Sequence, residues 1–223
     1  MSVRLRKPTT KATTIRQMRI LLQLSFLCFG LANTAIAADA AKLYAPCQAC
    51  HGAKGEGNRK LGAPNIAGMD VWYLERQLDN FANGRRGTSP SDTHGAQMKA
   101  AVATLPGAAE RQAVATYIAA MPRVGAGDTA SGKADLNNGK TQYNSLCTSC
   151  HQANGAGNKS LGAPRLTGID RAYLARQLSN FRSGARGAHP DDKTGKQMAA
   201  ISKLLTDSAA ERDTLAYIGT FKP

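Results

Sequence analysis

The sequence has few acidic residues and no long hydrophobic run. Its 223 residues include 15 Asp and Glu against 29 Lys and Arg. The basic residues are scattered, which argues against a nucleic-acid-binding arm. The one apolar run, from Ile20 to about Leu31, is shorter than the ~20 residues of a membrane-spanning helix. We expect a basic protein that binds no nucleic acid and whose charge steers it toward acidic partners or, as a peripheral protein, toward anionic membrane.

The first residues have the order of a secretory signal peptide. Six basic and no acidic residues precede the apolar run, and the small-residue pattern Ala35-Ile36-Ala37 follows it. We predict that residues 1–37 are removed after Ala37 and that the product is exported to the periplasm. Translation from Met1 or from Met18 would give the same product. That product keeps 23 Lys and Arg against 15 Asp and Glu, a net charge of +8.

Cysteine and histidine are scarce as well. One of the five cysteines, Cys28, lies in the predicted signal peptide, and the other four form the segments "CQACH" and "CTSCH". The histidines outside these segments are His94 and His189, which have no histidine at the matching position of the other copy. Cysteine use is therefore fully explained by the repeated motif, and we expect no enzyme active site: neither the histidines nor the acidic residues form a catalytic arrangement that repeats.

The chain is an internal duplication with a displacement of one hundred residues. "YLERQLDNFANGRRG" from Tyr73 and "YLARQLSNFRSGARG" from Tyr173 agree at ten of fifteen positions, and "LGAP" recurs at 61 and 161. The stretch between the copies is rich in Gly and small residues, as in a linker. We predict a first domain over 38–124, a linker over 125–132 and a second domain over 133–223.

Hydrophobic spacing within each copy is helical, and no alternating strand pattern is present. After Asp70, an expected N-cap, apolar residues follow the i, i+3, i+4 spacing as far as Gly84. Two further helices are predicted over 97–105 and 108–120, with counterparts at 197–205 and 208–220. A helix is also expected before each cysteine motif, over 133–145 in the second copy. The fold class is therefore all-α, with two small tandem domains.

The C-x-x-C-H motif predicts covalent haem attachment. Two cysteines three positions apart on a helical turn can bond to both vinyl groups of one haem while the next histidine ligates its iron. A thioredoxin-type redox pair needs no such histidine, a shared zinc site would have to unite two distant motifs, and a disulfide would close only a tiny loop. We predict two haem c groups, held by Cys47, Cys50 and His51 and by Cys147, Cys150 and His151.

The duplication also selects the sixth iron ligand. Met98 and Met198 occupy matched positions in matched "GxQM" segments, whereas Met69 corresponds to Ile169 and Met121 to Phe221. We predict Met98 and Met198 as axial ligands. Histidine–methionine ligation fills all six positions of the iron and raises its potential, which suits outer-sphere electron transfer.

Other repeated residues suit the surroundings of a haem. Pro64 and Pro164 mark the loops expected to offer a carbonyl to each histidine, although a simple turn proline is the alternative. Arg86 and Arg186 can pair with haem propionates or lie on a solvated face.

These motifs resemble the di-haem cytochrome c4 family. The similarity covers nearly all of the predicted mature chain and rests on the paired cysteine motifs, the "LGAP" loops, the "YLxRQLxNF" helices and the late "QM" pairs. It implies two class I-like cytochrome c folds whose haem propionates face the domain interface. It also implies a periplasmic carrier, often membrane-associated, between quinol-oxidising complexes and terminal oxidases. Similar di-haem chains serve as the cytochrome subunit of flavocytochromes or other dehydrogenases, and the motifs do not discriminate between these roles.

Overall fold

The chain is built of helices in two similar sets. The computed structural model describes residues 39–105, 107–125, 134–205 and 207–222, and residues 43–223 form one compact unit. The first set contains α1 (residues 39–51), α2 (Val71–Ala82), α3 (Thr93–Val102) and α4 (Ala108–Ala119). The second contains α5 (Leu136–Leu146), α6 (Thr148–His151), α7 (Arg171–Ser183), α8 (Lys193–Ser202) and α9 (Ser208–Ile218). Each set also has one 3-10 turn, Arg59–Leu61 or Lys159–Leu161.

The described ranges confirm the all-α prediction. Their only β-type pairings are two isolated bridges, between Asn58 and Ala63 and between Asn158 and Ala163. Across these ranges, no helix combines the length and the apolar character needed to cross a membrane. The predicted signal peptide, 1–37, and all of the predicted linker except Gly125 lie outside the described residues.

Aspartate side chains decide where several helices begin. Asp92 and Asp192 each accept a hydrogen bond at 2.9 Å from the backbone N–H three residues later, so α3 and α8 start four residues before the predicted position. Asp135 caps α5 in the same way. Asp70 is an exception to the predicted capping: its side chain caps no backbone N–H and accepts instead from Arg165 at 2.8 Å.

Each copy has a small core beside its cysteine motif. In the first, Tyr44 packs with Leu74, Val114 and Ile118. In the second, Tyr143 packs with Leu215 and Ile218. Both tyrosines are fully buried, and each donates its hydroxyl to a carbonyl just after the haem motif, Gly52 or Gln152, at 2.7 Å. The tyrosine therefore fixes the end of the motif helix to the core.

The two copies differ by one residue between this tyrosine and the first cysteine. Two residues separate Tyr44 from Cys47, whereas three separate Tyr143 from Cys147. The first copy runs through this region as one helix, α1, while the second is interrupted at Cys147 between α5 and α6. The helix break absorbs the extra residue, so both tyrosine hydroxyls reach equivalent carbonyls.

Candidate haem sites

Each copy encloses a deep cavity behind its cysteine motif. The first cavity has a volume of about 1330 Å³ including its open mouth, and the second about 1310 Å³. Their walls are mainly apolar side chains from the flanking helices. All eight predicted haem-binding residues line them: Cys47, Cys50, His51 and Met98 in the first, and Cys147, Cys150, His151 and Met198 in the second. The structure therefore brings each predicted set together.

The two motif histidines are buried and held in one orientation. His51 Nδ1 lies 2.9 Å from the carbonyl oxygen of Pro64, and His151 Nδ1 lies 2.7 Å from that of Pro164. A carbonyl oxygen only accepts, so Nδ1 carries the proton and Nε2 keeps a lone pair for a metal. Burial also lowers the pKa of both imidazoles, which favours the neutral form that ligates iron. The predicted role of the two "LGAP" loops is confirmed.

None of the four motif cysteines forms a disulfide, so all four sulfurs are available to bond to haem. Cys50 and Cys150 are exposed at the cavity mouth, whereas Cys47 and Cys147 are half-buried. Burial raises the pKa of the Cys47 thiol and, with the neighbouring Cys150, raises the pKa of Cys147 to about 11. Burial thus favours the neutral thiol at Cys47 and Cys147, whereas a redox C-x-x-C pair has an activated thiolate.

The methionines and histidines around the cavities are distributed unequally. The first cavity is lined by Met69 and His94 in addition to Met98. At the corresponding positions the second cavity has Ile169 and Thr194, and Met198 is its one methionine among the described lining residues. The second copy therefore offers a single thioether to a bound haem.

Two buried arginines join the cavities across the domain interface. Arg86 donates to Gln77 of its own domain at 2.8 Å and to Gln177 of the other at 2.9 Å. Arg186 mirrors it, donating to Gln177 at 2.7 Å and to Gln77 at 2.8 Å. The arginines are 6% and 7% exposed, so the solvated-face alternative is wrong.

The same interface contains two tyrosines that the sequence analysis missed. Arg86 reaches the Tyr173 hydroxyl at 3.3 Å, and Arg186 reaches the Tyr73 hydroxyl at 3.4 Å. Burial by itself would raise the pKa of Tyr173, but the two guanidinium groups outweigh it and lower that pKa to about 8. Both tyrosines begin the repeated "YLxRQLxNF" segment, but their role was not predictable, because their partners lie 87 and 113 residues away.

The interface retains positive charge that suits haem propionates. In the described part of the chain neither Arg86 nor Arg186 forms an ion pair with a carboxylate, although the charge of the buried Asp192 acts on Arg186 and Arg76. The buried Nε atoms of Arg76, Arg86 and Arg176 have no hydrogen-bond acceptor. Buried donors of this kind normally have partners, and Arg76, Arg86 and Arg176 all line a cavity. Acidic groups entering from the cavities would supply the missing acceptors, so these residues fit a haem with its propionates.

Four further contacts fasten the domains, and the first two repeat the exchange between matched residues. Arg76 donates to the Gly162 carbonyl at 2.7 Å, and Arg176 donates to the Gly62 carbonyl at 2.5 Å. Arg165 pairs with Asp70, and Arg59 pairs with Asp170, each at 2.8 Å. The domains thus face each other across an approximate two-fold arrangement.

Comparison with known proteins agrees with this architecture. A family model for cytochrome c matches residues 37–122 and 136–222. The thiosulfate dehydrogenase electron acceptor of Stutzerimonas stutzeri (strain A1501) is 31% identical, covering 81% of this chain and 88% of its own. Cytochrome c4 of Azotobacter vinelandii is 32% identical, covering 77% and 84%. The solved structure of Acidithiobacillus ferrooxidans cytochrome c4 has a TM-score of 0.64 at 27% identity, covering 79% of this chain and 99% of that one.

Two cytochrome c domains, each with its own C-x-x-C-H motif, carry two covalently bound haem c groups. The protein is an electron-transfer cytochrome. The chain belongs to the cytochrome c family and, within it, to the di-haem cytochromes c4.

Proposed function

We propose that this chain is a periplasmic electron carrier that takes electrons from a quinol-oxidising complex, delivers them to a terminal oxidase or another acceptor, and catalyses no reaction of its own. The observation that carries the proposal is the matched histidine and methionine lining each cavity. A haem with these two axial ligands exchanges single electrons at a raised potential and has no open iron position for a substrate. The protein would therefore bind and orient the haems, and its surface would recognise the partner proteins.

Met98 and Met198 are the proposed axial ligands. Met198 is favoured because the second cavity has no other methionine among its described lining residues and no histidine besides His151. Met98 is favoured because it holds the matched place on α3, the counterpart of α8. Both side chains are partly buried, as expected for residues at the wall of a cavity.

The ligand proposal predicts that Met198→Leu removes about half of the methionine-to-ferric-iron absorption and lowers one of the two reduction potentials. Met98→Leu should do the same at the other haem. Met69→Leu is the matched control, because Met69 also lines the first cavity but has no methionine counterpart. Unchanged absorption in Met198→Leu, or an equal loss in Met69→Leu, would refute the assignment.

A second role has support in the comparisons. One relative is named as the electron acceptor of thiosulfate dehydrogenase. The alternative proposal is that this chain serves one dehydrogenase, as its dedicated acceptor or as the cytochrome subunit of a flavocytochrome or similar complex. Its haem ligands would be identical in that role. The two roles differ in how many partner proteins the chain has and in whether it stays bound to them.

Partner exchange separates the two roles. A free carrier purified without detergent from its source cells should run alone, be reduced by quinol-supplied membranes and be reoxidised by the same membranes in air. Stoichiometric co-purification with a dehydrogenase, together with failure to react with membranes, would replace the carrier proposal with the subunit role.

A further inference from the structure

One face of α8 is exposed to solvent and basic. On α8 and the turn that ends it, the exposed positions recur every three or four residues and so lie along one side of the helix. We call this surface the α8 stripe. It consists of Lys193, Lys196, Gln197, Ala200, Lys203 and Leu204. Three of its six positions are lysines, and none is acidic.

The matched face of α3 has the same exposure but no charge. The six positions of α3 that match the α8 stripe, the α3 stripe, are Thr93, Ala96, Gln97, Ala100, Ala103 and Thr104. Lys99 and Ala101 are exposed on α3 as well, so this helix exposes one lysine against the three of the α8 stripe. The two helices therefore share their geometry and differ in chemistry at the positions of all three lysines and of Leu204. The lysines are not needed to form the helix, because α3 forms without them.

The lysines of the α8 stripe are available to another molecule. Within the described ranges none of the three pairs with a carboxylate. Lys159, in the nearby 3-10 turn, is likewise unpaired, whereas its counterpart Arg59 is held by Asp170 at 2.8 Å. Thus the positive charge of Lys159 in the second copy is unpaired, whereas the matching charge of Arg59 in the first copy contributes to the domain interface.

Exposed leucines accompany the lysines. Leu204 is 63% exposed and Leu161 is 49% exposed. Leu204 belongs to the α8 stripe, and Leu161 precedes Gly162, whose Cα lies against Thr194 at the start of α8. Apolar side chains within a charged rim are typical of surfaces that bind proteins.

The opposite side of α8 faces the second haem cavity. Thr194, Met198 and Ile201 line that cavity, and Gln197 of the α8 stripe borders it too. A partner on the α8 stripe would therefore lie within one helix diameter, about 10 Å, of the cavity. A molecule bound to this stripe is therefore positioned over the redox centre of the second domain.

We propose that the α8 stripe is the docking surface for an acidic redox protein that exchanges electrons with the second haem. This inference rests on the proposed carrier function and names the chemistry of one partner. Unpaired lysines attract an acidic face and speed its encounter, and the leucines give the encounter apolar contact. An anionic membrane is a poorer fit, because the α8 stripe itself has three lysines, and even with Lys159 the surface only reaches the lower limit of the 4–8 basic residues in clusters that bind anionic lipid.

The test compares two triple variants of the haem-loaded protein. Lys193→Gln, Lys196→Gln and Lys203→Gln together remove three positive charges from the α8 stripe. Thr93→Glu, Ala96→Glu and Ala103→Glu together lower the net charge by the same amount on the α3 stripe. The second-order rate constants of haem reduction and reoxidation are measured with combined membrane and periplasmic fractions of the source cells, over a range of ionic strength.

The lysine variant should slow one of these half-reactions about tenfold at low ionic strength, and the difference should vanish at high salt. The α3 variant should change that half-reaction less than twofold. Equal slowing by both variants, or no slowing by the lysine variant, would overturn the inference and leave the carrier function intact. If the wild-type protein exchanges no electrons with these fractions, the carrier function fails, and the inference fails with it.

Two further measurements exclude other occupants of the stripe. Vesicles of phosphatidylglycerol that bind the wild-type protein but not the lysine variant, while electron exchange stays unchanged, would identify a membrane surface instead. Sedimentation showing a dimer of the wild-type protein that the lysine variant abolishes would identify a second copy. Either result contradicts docking of an acidic redox protein.

Discussion

A single residue shows how the second copy differs from the first beside its haem motif. Gln152, which follows His151, has φ +65° and ψ 162°, a region that is populated almost only by glycine. The equivalent residue of the first copy is Gly52, with φ +79°. The carbonyl of each residue accepts the buried tyrosine hydroxyl, so neither backbone can relax without losing that hydrogen bond.

Gln152→Gly should therefore stabilise the protein. Relief of the strained backbone contributes about 1–3 kcal/mol, and the greater freedom of glycine in the unfolded chain offsets roughly 0.5–1 kcal/mol of it. We expect a net gain of about 0.5–2 kcal/mol in the free energy of unfolding, measured with denaturant on the haem-loaded protein. The reciprocal change, Gly52→Gln, should destabilise it. A Gln152→Gly protein less stable than the wild type would show that the side chain compensates for its backbone.

At the scale of the residue, predictability followed the distance between partners in the sequence. The motif cysteines and histidines are recognisable because their chemistry depends on spacing within five residues. The carbonyls of Pro64 and Pro164 were predictable because they lie 13 residues from their histidines in a repeated loop. Gln77 and Tyr73 were missed, because their role depends on Arg186, more than one hundred residues away.

At the scale of the element, helix existence was predictable and helix ends were not. Apolar periodicity extends over whole helices and gave α2, α4 and α9 close to their observed bounds. The starts of α3 and α8 depend on one aspartate each, in a segment without apolar periodicity. The Asp70 side chain was predicted to cap α2, but Arg165 of the other domain binds it, and only the tertiary structure reveals such competition.

Loss of the Asp192 cap should loosen the first turn of α8. The proposed ligand Met198 lies on the same helix, one turn further along. We expect Asp192→Ala to cost about 0.5–2 kcal/mol of stability and to make the methionine-to-ferric-iron absorption fade at a lower temperature. Asp192→Asn keeps an acceptor for the Gly195 N–H and should preserve the onset temperature of that fading better than Asp192→Ala, while its missing charge near Arg76 and Arg186 lowers overall stability. Asp207→Ala removes the cap of α9 at similar cost and should leave that absorption unchanged. Equal fading in both alanine variants would contradict a specific link between the α8 cap and the ligand.

At the scale of the molecule, duplication has two opposite consequences. Where the copies meet they use the same residues twice, so Arg86 and Arg186 exchange partners with Gln177 and Gln77. Where they face outward they diverge, as the α3 stripe and the α8 stripe do. The shared interface keeps the two haem sites at a fixed separation, and the divergent surfaces allow each site its own partner.

The interface makes a prediction about cooperativity. The Gln177 side-chain oxygen accepts from Arg86 at 2.9 Å and from Arg186 at 2.7 Å, and hydrogen bonds to charged groups contribute roughly 1.5–3 kcal/mol each. Gln177→Leu leaves both guanidinium groups buried without this acceptor and so weakens the contact between the domains. Calorimetry of the haem-loaded variant should then show two unfolding transitions, one for each domain. Gln177→Glu keeps an acceptor and adds a balancing negative charge, and its domains should still unfold together. A single transition at an unchanged Tm in Gln177→Leu would mean that other contacts couple the domains.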